Sequence, residues 1–284
     1  MKISEYVHAL KIPFKINLPS GMVLDRFVYV YMIYGRDIYL IDSGVSGSDG
    51  IIFHYIEKTG RDPKEISGLI LTHAHPDHIG AAGSIKNITG CAVYANKHAR
   101  PWIEDTDLQF RERPIPGFHD LVEGPVSIDG ILDDGGMLSM DTGLDLEVLH
   151  TPGHSNGSIS LYLREEKILF SGDSIIPPSA LPIYTDNAET IKSIEKLKTI
   201  EDIETLLSSW DGPRKGAGIR KIMDESIDYL RRIHETALRI SENDPSPDPM
   251  DLCKKITKEL GLPPVSVNPL VAASFMSSLT PRQK

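Results

Sequence analysis

The sequence predicts an α/β protein, two β-sheets inside with helices outside, followed by a helical extension. Three observations point there. Aromatic and β-branched runs at 27–34 and 38–41 flank a Gly-Arg-Asp turn. The buried-type run Gly68–Leu71 opens a strand, loop, helix, strand unit that ends near Ala95. A second group of strand-like segments, 144–149, 159–163 and 167–170, precedes long amphipathic stretches. Strands that alternate with helices in this way call for a layered architecture, because each sheet must bury its apolar faces.

Taken in order, residues 1–24 alternate apolar and polar positions around Pro13, Pro19 and Gly21, which predicts short strands and turns at a sheet edge. Phe27–Tyr34 and Ile38–Ile41 form a hairpin closed by Asp42-Ser43-Gly44. Ile51, Ile52, Tyr55 and Ile56 have helical spacing, and Gly60 ends that helix. After the strand at 69–72 one helix is expected, starting near Ile79 and running over 81–88, stopped by Gly90 ahead of the strand 91–95. Periodicity fails from Pro101 to Gly136, where Pro, Gly and Asp accumulate, and a long irregular stretch inside a domain is often a functional lid. Further on come a helix over 187–199, a strand over 203–208, and a long helix whose apolar face runs from Ile219 to Ile240. A Pro-rich break, Asp244 to Pro249, separates it from shorter helices near 250–260 and 268–279. The expected division is a catalytic domain over 1–212 and a helical extension over 213–284 that packs near the active site, its apolar faces too wide to leave in water.

Composition bounds the partners. A formal charge of −10 provides no basic footprint for nucleic acid or an anionic membrane. The two cysteines, Cys91 and Cys253, have no metal-ligand spacing and read as buried thiols. No apolar stretch of signal-peptide length stands near residue 1, and the run 27–34 is far short of a membrane span, so the expected location is cytoplasmic.

The chemistry centres on Thr72-His73-Ala74-His75-Pro76-Asp77-His78, three imidazoles and one carboxylate within six positions directly after a strand. Side chains two apart share a face of extended chain, so His73 and His75 can share one ion. Asp77 and His78 lie past Pro76 and can face a second ion. A solvated polar loop would account for any one of these residues, but not for the four together. Thr151-Pro152-Gly153 breaks the 144–149 strand so that His154 stands at its end, and Gly172-Asp173 delivers a carboxylate from the end of another strand.

These motifs resemble the HxHxDH signature of the metallo-β-lactamase fold superfamily, close to its hydroxyacylglutathione hydrolase-like members. Ile41-Asp42-Ser43-Gly44, Thr151-Pro152-Gly153-His154-Ser155 and Phe170-Ser171-Gly172-Asp173-Ser174 follow the family order, and the resemblance covers roughly 25–212. It implies a four-layer αββα sandwich and two divalent metal ions. His73, His75 and His154 would hold the first ion, and Asp77, His78 and the bridging Asp173 the second. Asp42 would orient a metal-bound histidine. Zinc is the first choice, with iron or manganese as alternatives at the second site above all. The implied reaction is hydrolysis by a metal-bound hydroxide, with Asp77 for acid-base work. The family usually completes the second ion with a His before Gly-Pro. Here Ser209-Trp210-Asp211-Gly212-Pro213 puts Asp211 in that place.

Small esters, thioesters or lactones are the expected substrates, with Tyr184, His119 and Arg113 as side chains that could meet them. Lactonases of the superfamily carry a Tyr soon after the bridging Asp, whereas Ser174-Ile175-Ile176 follows here. Two other readings stay open. One is an iron-dependent redox enzyme on the same scaffold; the other is a catalytically degenerate metal-binding sensor whose tail forms a homodimer surface.

Overall fold

The computed structural model describes residues 1–18, 21–140, 143–242 and 247–279. Pro19 and residues 244–246 of the expected break lie outside them. Among the described residues twelve strands form two sheets of six. The first sheet contains β1 (Val7–Asn17), β2 (Val23–Tyr34), β3 (Ile38–Ile41), β4 (Ile66–Leu71), β5 (Ala92–Ala95) and β6 (Gly130–Ile131) in sequence order. The second contains β7 (Met137–Ser139), β8 (Asp145–His150), β9 (Ile159–Leu163), β10 (Ile168–Gly172), β11 (Thr205–Ser208) and β12 (Arg214–Lys215), also in order. The helices are α1 (Ser48–Lys58), α2 (Pro76–Ile79), α3 (Ala82–Thr89), α4 (Arg100–Glu104), α5 (Thr106–Glu112), α6 (Phe118–Leu121), α7 (Asn187–Lys198), α8 (Ala217–Ile240), α9 (Pro249–Glu259) and α10 (Pro269–Met276). No helix among the described residues is long and apolar enough to cross a membrane.

The chain divides into two compact units: 1–150 with 157–172 and 207–212, and 151–156 with 173–206 and 213–284. In the first unit β1, β2 and β3 pair antiparallel, and β3, β4, β5 and β6 pair parallel. The parallel connections are the helical crossovers that such strands require. Alternation along β2 and β4 splits their side chains between two cores. Val28, Val30, Met32, Leu69 and Leu71 pack with Ile52, Ile56, Ile85 and Ile103 of the helices. Tyr31, Ile33, Ile41 and Ile70 pack with Val148, Leu161 and Phe170 of the other sheet. Two apolar cores on opposite faces of one sheet explain why β4 is an almost unbroken apolar run.

Three local expectations differ from the structure. The N-terminal segment makes one 11-residue strand rather than short pieces. Pro13 is tolerated there because β1 is an edge strand, and a missing N–H costs no ladder bond on the open side. The helix after the histidines starts at Pro76, not near Ile79, with His75 still extended (φ −67, ψ 150). Proline fits the first helical turn, where its N–H would have no helical partner. The stretch 101–136 holds α4, α5 and α6, each too short to show a period.

The second unit does not consist of the helical tail alone. On α8, Ile219, Ile222, Met223, Ile227, Leu230, Ile233 and Ala237 are buried at helical spacing. The tail is tied by hydrogen bonds to the segment after β10. Ser226 Oγ accepts from Ile176 N (3.1 Å), and the Leu230 carbonyl accepts from Asn187 Nδ2 (3.1 Å). Ser274 Oγ accepts from Tyr184 N (2.9 Å) and donates to the Tyr184 carbonyl (2.7 Å). Leu230 is fully buried, whereas Leu238 on the same helix is 46 % exposed. Leu230→Ala should therefore lower the unfolding free energy by about 2–5 kcal/mol. Leu238→Ala should stay within about 0.5 kcal/mol of wild type, and urea unfolding of both variants checks the contrast.

Candidate metal centre

The first unit supplies a buried polar knot at the end of β4. Asp42, the first residue after β3, has φ 63, a left-handed conformation that Asp tolerates better than most residues. Its N–H donates to the Ile70 carbonyl at 2.8 Å, which continues the β3–β4 pairing by one residue and turns the carboxylate toward Thr72. Oδ1 accepts from Thr72 N (2.8 Å), and Oδ2 accepts from Thr72 Oγ1 (2.8 Å) and from His78 Nδ1 (2.8 Å). The loop after Asp42 also clamps α2: Ser43 N and Ser43 Oγ both donate to the His78 carbonyl at 2.8 Å. Gly80 permits this approach, since a Cβ there would lie 2.3 Å from the Leu121 carbonyl oxygen and 2.5 Å from Val45 Cα.

The proton positions follow from the acceptors. A buried carboxylate bonded to Thr72 Oγ1 takes that hydroxyl's single proton. Thr72 Oγ1 therefore accepts from His73 Nδ1, 3.1 Å away. His73 and His78 both carry their proton on Nδ1 and present an unprotonated Nε2. Such partners are what fix the tautomer of metal-binding histidines. His73 Nε2 stands 3.0 Å from His75 Nδ1, and the His73 and His78 rings lie 3.9 Å apart between centroids. His78 Nε2 is 3.7 Å from Asp77 Oδ2.

In the second unit the loop before β9 is set on the start of α7. Gly153 has φ +123, and a Cβ on it would lie 2.3 Å from Thr190 N. Its carbonyl accepts from Thr185 N (2.7 Å), Thr185 Oγ1 (2.9 Å) and Asp186 N (3.0 Å). The next residue, His154, donates from Nδ1 to the Ile183 carbonyl at 2.8 Å, which leaves Nε2 unprotonated in the neutral ring. That nitrogen is 3.3 Å from Asp173 Oδ2. Two lone-pair atoms at this distance need a cation between them or a proton on the ring.

The donor set fits a divalent transition metal. His73 and His75 of the first unit, and His154 and Asp173 of the second, are the imidazole and carboxylate donors that such an ion takes. Donors around a tetrahedral zinc at 2.0–2.1 Å are separated by about 3.3 Å, and the observed pairs lie 3.0 Å and 3.3 Å apart. His73, His75 and His78 are each no more than 3 % exposed, and burying so many imidazoles beside carboxylates is costly without a cation.

The remaining expected residues fall elsewhere. Asp77 and His78 adjoin the His73–His75 pair but are not in that four-residue group. Asp211 follows β11, its Oδ1 accepting from Gly212 N at 2.8 Å, a loop-capping bond. Arg113 ends α5 and is partly buried, whereas His119 on α6 is exposed beside the Phe110 and Phe118 rings. Tyr184 is 3 % exposed and its hydroxyl accepts from Asn187 Nδ2 at 3.2 Å. Burial pushes that phenol's pKa well up. Tyr184 thus packs within the second unit. Sequence reasoning missed Thr72 and Gln109. Thr72 carries a signal, a hydroxyl directly before the first histidine; Gln109 carries none.

Residues 23–208 match the family model of the Metallo-beta-lactamase superfamily. The chain is 32 % identical over 209 residues to a probable metallo-hydrolase, YqgX, of Bacillus subtilis, covering 69 % of this chain and 89 % of that protein. It is 32 % identical over 143 residues to the acyl-coenzyme A thioesterase MBLAC2 of Gallus gallus, covering 47 % of this chain and 51 % of that protein. The metallo-beta-lactamase family protein TTHA1429 of Thermus thermophilus superposes with a TM-score of 0.74 at 19 % identity, covering 97 % of this chain and 94 % of that one. That likeness shows the fold, the expected αββα sandwich with a helical C-terminal region.

Thr72→Val removes the hydroxyl that joins Asp42 to His73 and keeps the shape. It should weaken zinc binding roughly ten-fold or more, while Thr72→Ser should stay near wild type. Chelator competition on both variants is the check.

Proposed function

Because the chain belongs to the metallo-beta-lactamase superfamily, we propose that it is a dinuclear metal-dependent hydrolase of small esters or thioesters. The observation that carries this reading is the pair of unprotonated Nε2 atoms, on His73 and His154, each set by a hydrogen bond to the ring's other nitrogen. In this reading His73 through Nε2, His75 through Nδ1 and His154 through Nε2 hold the first ion. Asp77, His78 and Asp173 hold the second, with Asp211 as a further oxygen ligand. Zinc is the ion we assign to the first site. The oxygen-richer second site suits manganese or ferrous iron as well.

Bound divalent ions supply Lewis acidity and bring the ionisation of water down toward neutral pH. The chain's own residues do the rest. Asp42 keeps the protons of His73 and His78 on the nitrogens that face away from the donors. Asp77 is the proposed general base. Its side chain is 13 % exposed, and one oxygen is 3.7 Å from His78 Nε2, close enough to the donors to take a proton from the attacking water. Arg113 and His119 are the proposed substrate contacts. The thioester class is supported by the relative named as an acyl-coenzyme A thioesterase. An acidic chain with no basic track favours a small-molecule substrate.

Elemental analysis of untagged protein should find close to two divalent ions per chain. His75→Ala and Asp173→Ala should each lose metal and cut thioester hydrolysis at least ~100-fold. Asp211→Ala should lower the second ion's occupancy only. Protein that carries no transition metal, or metal-loaded protein inert toward a panel of esters and thioesters, would overturn the reading.

A further inference from the structure

Gln109 lies on α5, in the stretch that the sequence leaves without periodicity, and is fully buried. Its Nε2 donates to the carbonyl of Ala74 at 2.5 Å. A carbonyl can only accept, so this contact fixes which end of the amide faces Ala74. The other end, Oε1, is buried and has no hydrogen-bond partner among the described residues. An interior helix position is ordinarily filled by an apolar side chain, because an amide must be desolvated to reach it. What the side chain gains in return, among the described residues, is the bond to Ala74.

Ala74 is the residue between His73 and His75, and its peptide sets the directions of both Cα–Cβ bonds. The chain bends at Thr72 and His73, just past the end of β4. Thr72 is held on both sides, its carbonyl accepting from Ile159 N at 2.9 Å and its N–H donating to Asp42 Oδ1 at 2.8 Å. The helix α2 begins at Pro76, which has no N–H to offer. Between these two points the Gln109 amide anchors Ala74.

We propose that Gln109 is a positioning residue for the metal centre. Its side-chain amide holds the Ala74 peptide so that His73 Nε2 and His75 Nδ1 keep the 3.0 Å separation that one ion requires. The inference rests on the metal-centre reading above. It adds a residue that acts through the backbone of the ligand turn and not by contact with the ion. Precise support of this kind from outside the ligand set changes metal affinity by roughly ten- to a hundred-fold.

The test uses the full chain and two readouts besides turnover: zinc affinity by competition with a chromophoric chelator, and the visible absorption of the cobalt-substituted protein. Gln109→Met keeps the length and apolar bulk but removes the donor. Gln109→Glu turns an acceptor toward an acceptor. Both should bind zinc roughly ten-fold or more weakly and shift the cobalt bands, with the glutamate variant the weaker. Ile103→Val, a fully buried change on neighbouring α4, should lower the melting temperature and leave affinity and spectrum at wild type. Gln109→Met with wild-type affinity and spectrum overturns the role of Gln109 alone. Wild-type protein that binds no transition metal overturns the metal reading and this inference with it. If Gln109→Met fails to fold, Gln109→Glu decides, and wild-type affinity in it is equally fatal.

Discussion

One buried carboxylate organises the centre. Asp42 is 1 % exposed and accepts from Thr72 N, Thr72 Oγ1 and His78 Nδ1. An ionised carboxylate offers acceptors only, so each neighbour must turn a proton toward it. The result passes through Thr72 to His73 and directly to His78, and both rings carry their proton on Nδ1. Burial strengthens the effect, because in a low-dielectric surrounding a hydrogen bond to a charge is worth more and a misdirected one costs more. The same carboxylate bonds backbone and side chain together, which ties the geometry of β4's end to the loop after β3.

The second unit reaches the same end with different parts. His154 Nδ1 is held by the Ile183 carbonyl, a neutral acceptor supplied by the backbone. Ile183 is followed by Tyr184, whose N–H and carbonyl are both bonded to Ser274 Oγ on α10. The tail therefore stiffens the segment that orients His154.

Strain and close approach occur beside the expected ligands and their supports. Asp42 takes a positive φ, Gly80 touches backbone on two sides, and Gly153 has no room for a Cβ against Thr190. Such positions hold only when the surrounding packing over-determines them, and both cores of the first unit press on β3 and β4. Rigid strands that end in short polar turns provide that packing, which is why the histidines stand at strand ends and not on long loops.

Much of this was legible in the sequence, and the reason is range. His73, His75, Asp77 and His78 lie within six positions after an apolar run, so local spacing alone places them at a strand end. The Pro-Gly break before His154 and the strand before Asp173 are equally local. The hairpin of β2 and β3 and the amphipathic face of α8 were readable from period. What the sequence could not decide depends on contacts across the chain. The helices of 101–136 are shorter than a readable period, and β1 runs through Pro13 only because its outer edge is open. The Asp42–Thr72 bonds span 30 residues, Gln109 to Ala74 spans 35 and Ser274 to Tyr184 spans 90. By itself the sequence determined which residue types could bind a metal and on which strand ends they stand. Tertiary structure alone decided which nitrogen of each ring carries the proton, because that depends on an acceptor brought from a distant segment by the packing of the sheets and helices.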